Sequence, residues 1–115
     1  MPKLPKRYTA FLNAYPDVAK AYHELGDACS QAGPLNEKTR ALVRLGIAVG
    51  RQHEGAVHSH ARKALEAGAS ADEIRHAVLL STTTIGFPAM MAALSWIDDI
   101  LGVHPSGIAE KKKRK

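Results

Sequence analysis

Residues 53–69 read HEGAVHSHARKALEAGA, and the rest of the chain is arranged around this stretch. The stretch holds three of the six histidines and then continues in alanine, leucine, lysine, arginine and glutamate, which are good helix formers. Gly68 stands where a glycine commonly ends a helix. The stretch therefore predicts a helix that begins near His53 and ends at Gly68.

Helical geometry divides the three histidines between two faces. Each residue turns the side chain by about 100 degrees, so His53 and His60 come within about 20 degrees of each other. Small alanines continue that face, and we expect both imidazoles to point into the protein. His58 shares a different, exposed face with Glu54, four residues earlier, where the two side chains can form an ion pair.

The spacing of the histidines argues against a metal site within this helix. Zinc protease helices carry two histidines four residues apart, so that both reach one ion. His53 and His58 are five residues apart, which corresponds to a rotation of about 140 degrees, and His58 and His60 are about 200 degrees apart. We therefore predict no mononuclear metal site within this helix, and a metal site shared between subunits stays open.

Local signals predict five further helices. Pro16 suits the first turn of a helix, and Asn36 is a favourable N-cap. Ser70 and Glu73 have the spacing of a capping box, and a Gly-Phe-Pro sequence at residues 86–88 ends one helix and starts the next. We predict an all-α bundle of about six helices, with the five further helices at residues 5–15, at 16–31, at 37–50, from 71 onward and at 88–101.

Composition and charge support one helical domain with a basic tail. The chain has 115 residues, of which 45% are hydrophobic but only 5% aromatic, and this favours helices over a sheet. Five of the sixteen basic side chains lie in residues 111–115, so the rest of the chain is close to neutral. We predict a single domain over residues 1–102 and a disordered basic tail over 103–115. Nucleic-acid binding ranks last, because no aromatic residues accompany the lysines.

Cys29 is the single cysteine, which excludes an internal disulfide and a cysteine metal site within one chain. Its position on the apolar face of the helix over residues 16–31 predicts a buried thiol. A reducing compartment suits this composition, and the N-terminus lacks the apolar core of a secretory signal. We therefore expect a cytoplasmic protein.

Residues 77–97 carry no charged side chain, which raises the question of a membrane span. Several hydroxyl side chains, Gly86 and Pro88 interrupt this segment, so we expect no span. The last two predicted helices are nevertheless apolar over more of their circumference than a chain of this length can cover. We predict a homo-oligomer, because surplus apolar surface needs a partner.

The joint pattern of several short motifs resembles a known family. The motifs are Leu35-x-x-Lys38-x-Arg40, a histidine eight residues before Gly68, Ala69-Ser70-x-x-Glu73-Ile74, and Gly86-Phe87-Pro88. Over residues 16–101 this arrangement is similar to the carboxymuconolactone decarboxylase and alkyl hydroperoxidase D-like family. The resemblance implies an all-helical fold that assembles into homotrimers or homohexamers, with sites at or near the subunit contacts.

The peroxidase branch of that family uses a Cys-x-x-Cys pair at the start of the fourth helix, a histidine four residues later and a glutamate in the preceding helix. In this comparison His60 matches the family histidine, His53 and Ala56 stand at the cysteine positions, and Ala41 stands at the glutamate position. An imidazole and a methyl group cannot form the redox disulfide. The chain therefore resembles the cysteine-free branch, and we reject thiol peroxidase activity.

The resemblance to the cysteine-free branch implies a lyase that decarboxylates a small carboxylated lactone by acid–base catalysis without a cofactor. Such a reaction needs a partner for the carboxylate and a carrier for a proton. We assign His60 and His53 as catalytic residues, with His60 as the proton carrier and either His53 or Arg51 as the anion partner. The predicted substrate-binding residues are Arg51, Thr83 and Thr84.

Each assignment has a structural alternative. A buried histidine such as His60 is commonly held by a backbone acceptor, and threonine hydroxyls can bond back to the preceding helical turn. His53, near the start of the helix, also suits a position at the surface or rim. A non-catalytic or ligand-binding oligomer on the same scaffold is thus the alternative function. A solvent-open pocket with His60 near a second titratable group favours the enzyme, whereas a His60 sealed in by alanines favours the binder.

Overall fold

Helices account for the regular secondary structure of residues 5–103, which are the residues that the computed structural model describes. The seven helices are α1 (Lys6–Ala14), α2 (Pro16–Gln31), α3 (Glu37–Arg51), α4 (Glu54–Glu66), α5 (Ala71–Leu79), α6 (Thr82–Ile85) and α7 (Phe87–Leu101). The all-α prediction is confirmed, and most helix bounds agree with it to within two residues. The single turn α6 is the helix that the sequence pattern did not separate from α5.

The chain divides into two compact units, with the boundary between Leu35 and Asn36. In the first unit α1 packs against α2, and the Tyr8 hydroxyl is hydrogen-bonded to Nε2 of His23 at 3.1 Å. Cys29 is exposed, so the prediction of a buried thiol is wrong. The apolar stripe of α2 is itself exposed in this chain, as Tyr22 at 69% shows, and the stripe therefore does not bury the cysteine.

The second unit has an apolar core built from α3, α4, α5 and α7. Small side chains such as Ala61, Ala64 and Ala93 are fully buried and allow the helices to approach closely. Each large buried aliphatic side chain contributes about 1.5–3 kcal/mol through removal from water. The largest fully buried side chains are Leu45, Val49, Val57, Ile74, Val78 and Ile97. Helix α4 packs against both α3 and α7, which fixes the orientation of its side chains on both sides.

Side-chain caps define where the helices of the second unit begin. Asn36 Oδ1 accepts the backbone N–H of Thr39 at 2.8 Å and caps α3. At α5 the predicted capping box is present, because Ser70 Oγ accepts the N–H of Glu73 and Glu73 Oε1 accepts the N–H of Ser70. These bonds satisfy backbone donors that have no partner within the helix.

The end of α4 follows from Gly68, as the sequence predicted. Gly68 has φ +98°, a left-handed conformation that glycine adopts without steric cost. The N–H of Ala69 donates to the carbonyl of Ala64, and the N–H of Gly68 donates to that of Leu65. This pair of bonds is the Schellman arrangement, which ends a helix and satisfies its last carbonyls.

None of the helices in residues 5–103 is long and apolar enough to cross a membrane. The single domain over residues 1–102 stays a prediction. The predicted disordered tail falls, from residue 104 onward, outside the residues that the structure describes.

Candidate functional site

The connection between α3 and α4 is a tight turn at Gln52. This residue has φ 54°, and it is the one non-glycine residue with positive φ among those described. Such a conformation is uncommon for a residue with a side chain. Here Gln52 Nε2 donates to the carbonyl of Val49 at 3.0 Å and to that of Ala89 at 3.2 Å. These bonds hold the turn against the start of α7 and set the positions of Arg51 and His53.

His53 lies just before α4 and acts as its N-cap. Its backbone is extended, with φ −105° and ψ 106°, and its ring Nδ1 accepts the N–H of Ala56 at 3.0 Å. The side chain is exposed. The prediction that His53 points into the protein beside His60 is therefore wrong, because it assumed that helical geometry extends back to residue 53. The left-handed turn at Gln52 interrupts that geometry.

His60 is half-buried on α4 and lines a small open cavity between α3 and α4. The cavity has a volume of about 140 Å³ and is lined by Arg44, Ile47, Ala48, Arg51, Ala56 and His60. Burial lowers the pKa of His60 below its ordinary value of 6.5, and the positive charges of Lys63 and Arg44 lower it further. His60 is therefore neutral near pH 7, and its imidazole is a proton acceptor there.

Two arginines give the cavity its electrostatic character. Arg44 and Arg51 are seven residues apart on α3, which is two helical turns, so both lie on the helix face that borders His60. Guanidinium groups keep their charge and match the geometry of a carboxylate. The cavity thus combines two permanent positive charges with one neutral imidazole, an arrangement that suits a small anion.

The structure brings Arg51 and His60 together, as the assignment of an anion partner required. Arg44 was missed at the sequence level, although its spacing to Arg51 was a usable signal. The sequence of one helix alone does not indicate which of its faces borders the histidine of the next helix.

The predicted substrate-binding threonines do not line the cavity of His60. Thr84 donates its hydroxyl to the carbonyl of Ser81 at 3.0 Å, and Thr82 donates to that of Leu79 at 2.6 Å. Thr84 lines a different, larger cavity of about 560 Å³, and Thr83 is exposed. The structure therefore does not bring Thr83 or Thr84 into the cavity of His60. The hydroxyls of Thr82 and Thr84 follow the alternative in which a helical hydroxyl bonds back to the preceding turn.

A second group of polar side chains lies on the other side of α4. His58 Nε2 is 2.9 Å from Asp99 Oδ2 and 3.9 Å from Glu54 Oε2. The predicted pair of Glu54 and His58 is present, and Asp99 of α7 is the closer partner. In residues 5–103, these three side chains form the one group of histidine and carboxylate ligands close enough to share an ion.

The fold and the site together describe an all-helical protein whose small cavity is lined by one imidazole, two guanidinium groups and apolar side chains. The profile of the carboxymuconolactone decarboxylase family matches residues 16–99. The chain belongs to this family, which confirms the resemblance drawn from its motifs. Of the residues that the sequence comparison matched to the peroxidase cysteines and glutamate, His53 is exposed, Ala56 is half-buried and Ala41 is buried.

One solved structure has the same fold, and one further protein is similar in sequence. The crystal structure of an apo carboxymuconolactone decarboxylase family protein from Legionella pneumophila has a TM-score of 0.71 and 20% sequence identity, covering 84% of this chain and 88% of that chain. An uncharacterized protein from Haemophilus influenzae is 39% identical over 50 residues, which are 44% of this chain and 44% of that protein. The match thus spans less than half the length of that relative.

Proposed function

We propose that this chain is a cofactor-free lyase that decarboxylates a small carboxylated lactone or a related metabolite in the cavity of His60. The observation that carries this proposal is the shared cavity of His60, Arg44 and Arg51, which is open to solvent. An anion partner beside a proton carrier is the minimum that the reaction needs. His60 is not sealed in by its neighbouring alanines, which favours the enzyme over a purely structural histidine.

The reaction assigns one task to each group. Arg51 and Arg44 bind a carboxylate of the substrate and fix its position. The bond between the lactone and its second carboxylate breaks, carbon dioxide leaves, and the electron pair moves into the unsaturated ring. His60 then delivers a proton to the ring carbon that has gained the electron pair.

Binding of the substrate prepares His60 for this task. In the free chain the pKa of His60 is lowered by burial and by the charges of Lys63 and Arg44. A bound carboxylate adds a negative charge beside the imidazole, and an opposite charge nearby favours the protonated form. His60 therefore takes up a proton from solvent as the anion binds, and this proton is the one delivered to carbon.

The second candidate is a non-catalytic protein that binds a small carboxylate at the same cavity. The observation that favours this candidate is that the described residues lining the cavity include a single acid–base group, with no second group to share the proton transfers of a reaction. The arginines do not exchange protons near neutral pH, so His60 is the one proton-exchanging side chain among the described residues that line this cavity. A binder of this kind takes up the ligand, with the same protonation of His60, but does not turn it over.

Turnover of a panel of carboxylated lactones, followed by release of carbon dioxide, distinguishes the two candidates. We expect His60→Gln to lower kcat by about 100-fold or more, the usual contribution of a positioned acid or base. Arg51→Gln should raise KM, because it removes a carboxylate partner, and His23→Gln in the other unit is the matched control. Unchanged turnover in His60→Gln, with the oligomer intact by gel filtration, would rule out the catalytic role.

Assembly and location belong to the same proposal. We propose a homotrimer or homohexamer, supported by large apolar side chains that are exposed in the single chain. In the second unit these are Val43, Ile47, Leu65, Leu79, Leu80, Phe87, Met91 and Val103. Light scattering should give three or six times the chain mass of 12.4 kDa. A cytoplasmic location is proposed from the single cysteine, which suits a reducing compartment.

A further inference from the structure

Glu54, His58 and Asp99 bring three potential metal ligands to one place on the surface of the second unit. One ligand atom from each lies within 4.8 Å of the other two. The shortest separation, 2.9 Å, joins His58 Nε2 to Asp99 Oδ2, and 3.9 Å separates His58 Nε2 from Glu54 Oε2. The group lies on the opposite side of α4 from His60, since residues 58 and 60 differ by about 200 degrees of rotation.

Helix packing explains why these side chains meet. Glu54 and His58 are four residues apart and so occupy one face of α4. Asp99 reaches them from α7, which packs against α4, and the fully buried Val57 and Ile97 belong to the same apolar core. Val57 and Ile97 lie close in sequence to His58 and Asp99, so the core fixes the backbone on both sides of the group.

The exposure of the three side chains fits an ion at the protein surface. The His58 side chain is only 24% exposed, whereas those of Glu54 and Asp99 are 56% and 57% exposed. The imidazole is therefore held in place by its surroundings, and the two carboxylates can rotate to complete a coordination sphere. Solvent can reach the group and supply a further ligand.

We propose that Glu54, His58 and Asp99 form a binding site for Zn²⁺, with water as the fourth ligand. Zinc accepts imidazole nitrogen and carboxylate oxygen at about 2.0–2.2 Å, so its tetrahedral ligands lie about 3.3–3.5 Å apart. The separations of 2.9 Å and 3.9 Å between His58 Nε2 and the two carboxylate oxygens lie on either side of this distance. Rotation of the exposed carboxylates can bring the three ligand atoms to it. The imidazole nitrogen favours zinc over calcium and magnesium, which prefer sites made of oxygen alone.

The site is independent of the proposed lyase activity, because it uses neither the cavity of His60 nor the arginines. The proposed ligand set takes Asp99 from α7 and therefore differs from a site within α4 alone, against which the spacing of the histidines argues. A salt bridge between a protonated His58 and the two carboxylates is the alternative arrangement. It requires no ion, and the two arrangements differ in their response to added metal.

Titration of the full-length, tag-free protein with Zn²⁺, by calorimetry and by the visible absorption of bound Co²⁺, tests the site. We expect one saturable ion per chain, and an increase in Tm when it binds. Asp99→Asn and Glu54→Gln should each raise the apparent Kd by about tenfold or more, since even loss of an outer-shell partner has an effect of this size. His58→Gln should abolish the absorption of the Co²⁺ complex.

His76→Gln and Glu66→Gln are the matched controls, because both residues are exposed and lie outside the group. They should bind Zn²⁺ with the affinity of the unmodified chain. If His58→Gln does not fold, the two carboxylate variants decide the question alone. Absence of saturable binding to the unmodified chain would overturn the proposal, as would equal affinity in Asp99→Asn and Glu54→Gln.

Discussion

His53 and Ala56 are joined by a hydrogen bond of 3.0 Å, in which the imidazole Nδ1 accepts the backbone N–H of Ala56. In the resemblance drawn from the sequence, these two residues were matched to the cysteine positions of the peroxidase branch. Here His53 caps α4 and Ala56 contributes a methyl group to the cavity of His60. The two residues therefore have a capping role and a lining role in this chain.

His53→Ala should destabilise the fold without changing the cavity, because it removes the acceptor that satisfies a free N–H at the start of α4. Loss of an N-cap side chain costs about 0.5–2 kcal/mol. Chemical denaturation of the full chain gives the change in the free energy of unfolding. His53→Asn is the control, because asparagine is a strong N-cap and should retain most of the stability. Equal stability of the alanine and asparagine variants would contradict the capping role.

The capping box at α5 predicts that Glu73 contributes stability that depends on pH. The backbone N–H of Ser70 lowers the pKa of Glu73 below its ordinary value of 4.5, and the Lys38 ammonium at 3.0 Å lowers it further. A carboxyl group with a lowered pKa stabilises the folded state above its unfolded pKa and loses this effect as pH falls through the folded value. The stability difference between the unmodified chain and Glu73→Gln should therefore shrink below pH 4.5. A difference that does not vary with pH would contradict this account.

The lowered pKa of His60 predicts that the folded chain also loses stability through this residue as pH falls, in a higher pH range than for Glu73. Its pKa in the folded chain is lower than the ordinary value of 6.5, so the unfolded chain takes up a proton first as pH falls. Protonation of the unfolded state favours unfolding, and the folded state loses stability as pH falls through 6.5 and below. Thermal unfolding across this range should show a smaller loss for His60→Gln than for the unmodified chain. Equal losses would mean that His60 is not desolvated in the folded state.

The sequence was sufficient for the helices because their signals are local. The capping box at Ser70 and the glycine at residue 68 act through backbone atoms only a few residues away, and both are present as predicted. Pro16 and Asn36 likewise mark helix starts that the structure confirms. Signals of this kind do not depend on which helix packs against which.

The site was predicted less completely, because it depends on contacts between helices. His53 was placed inside because α4 was extended back by one residue to His53, whereas the left-handed turn at Gln52 leaves His53 with an extended backbone. Asp99 lies 41 residues from His58 in sequence, and no periodicity within α4 indicates that they meet. Arg44 required knowledge of which face of α3 borders α4. The site residues that were found, His60 and Arg51, lie on the consecutive helices α4 and α3.

The central claim is that a small carboxylate binds against Arg44, Arg51 and His60, and the pKa of His60 measures this most directly. Nuclear magnetic resonance titration of its imidazole should give a pKa below 6.5 in the free chain. A saturating carboxylated lactone should raise that pKa, because the bound anion favours the imidazolium form. The combined Arg44→Gln and Arg51→Gln variant should not show this ligand-induced increase. A pKa of His60 that is unchanged by the ligand in the unmodified chain would contradict the account.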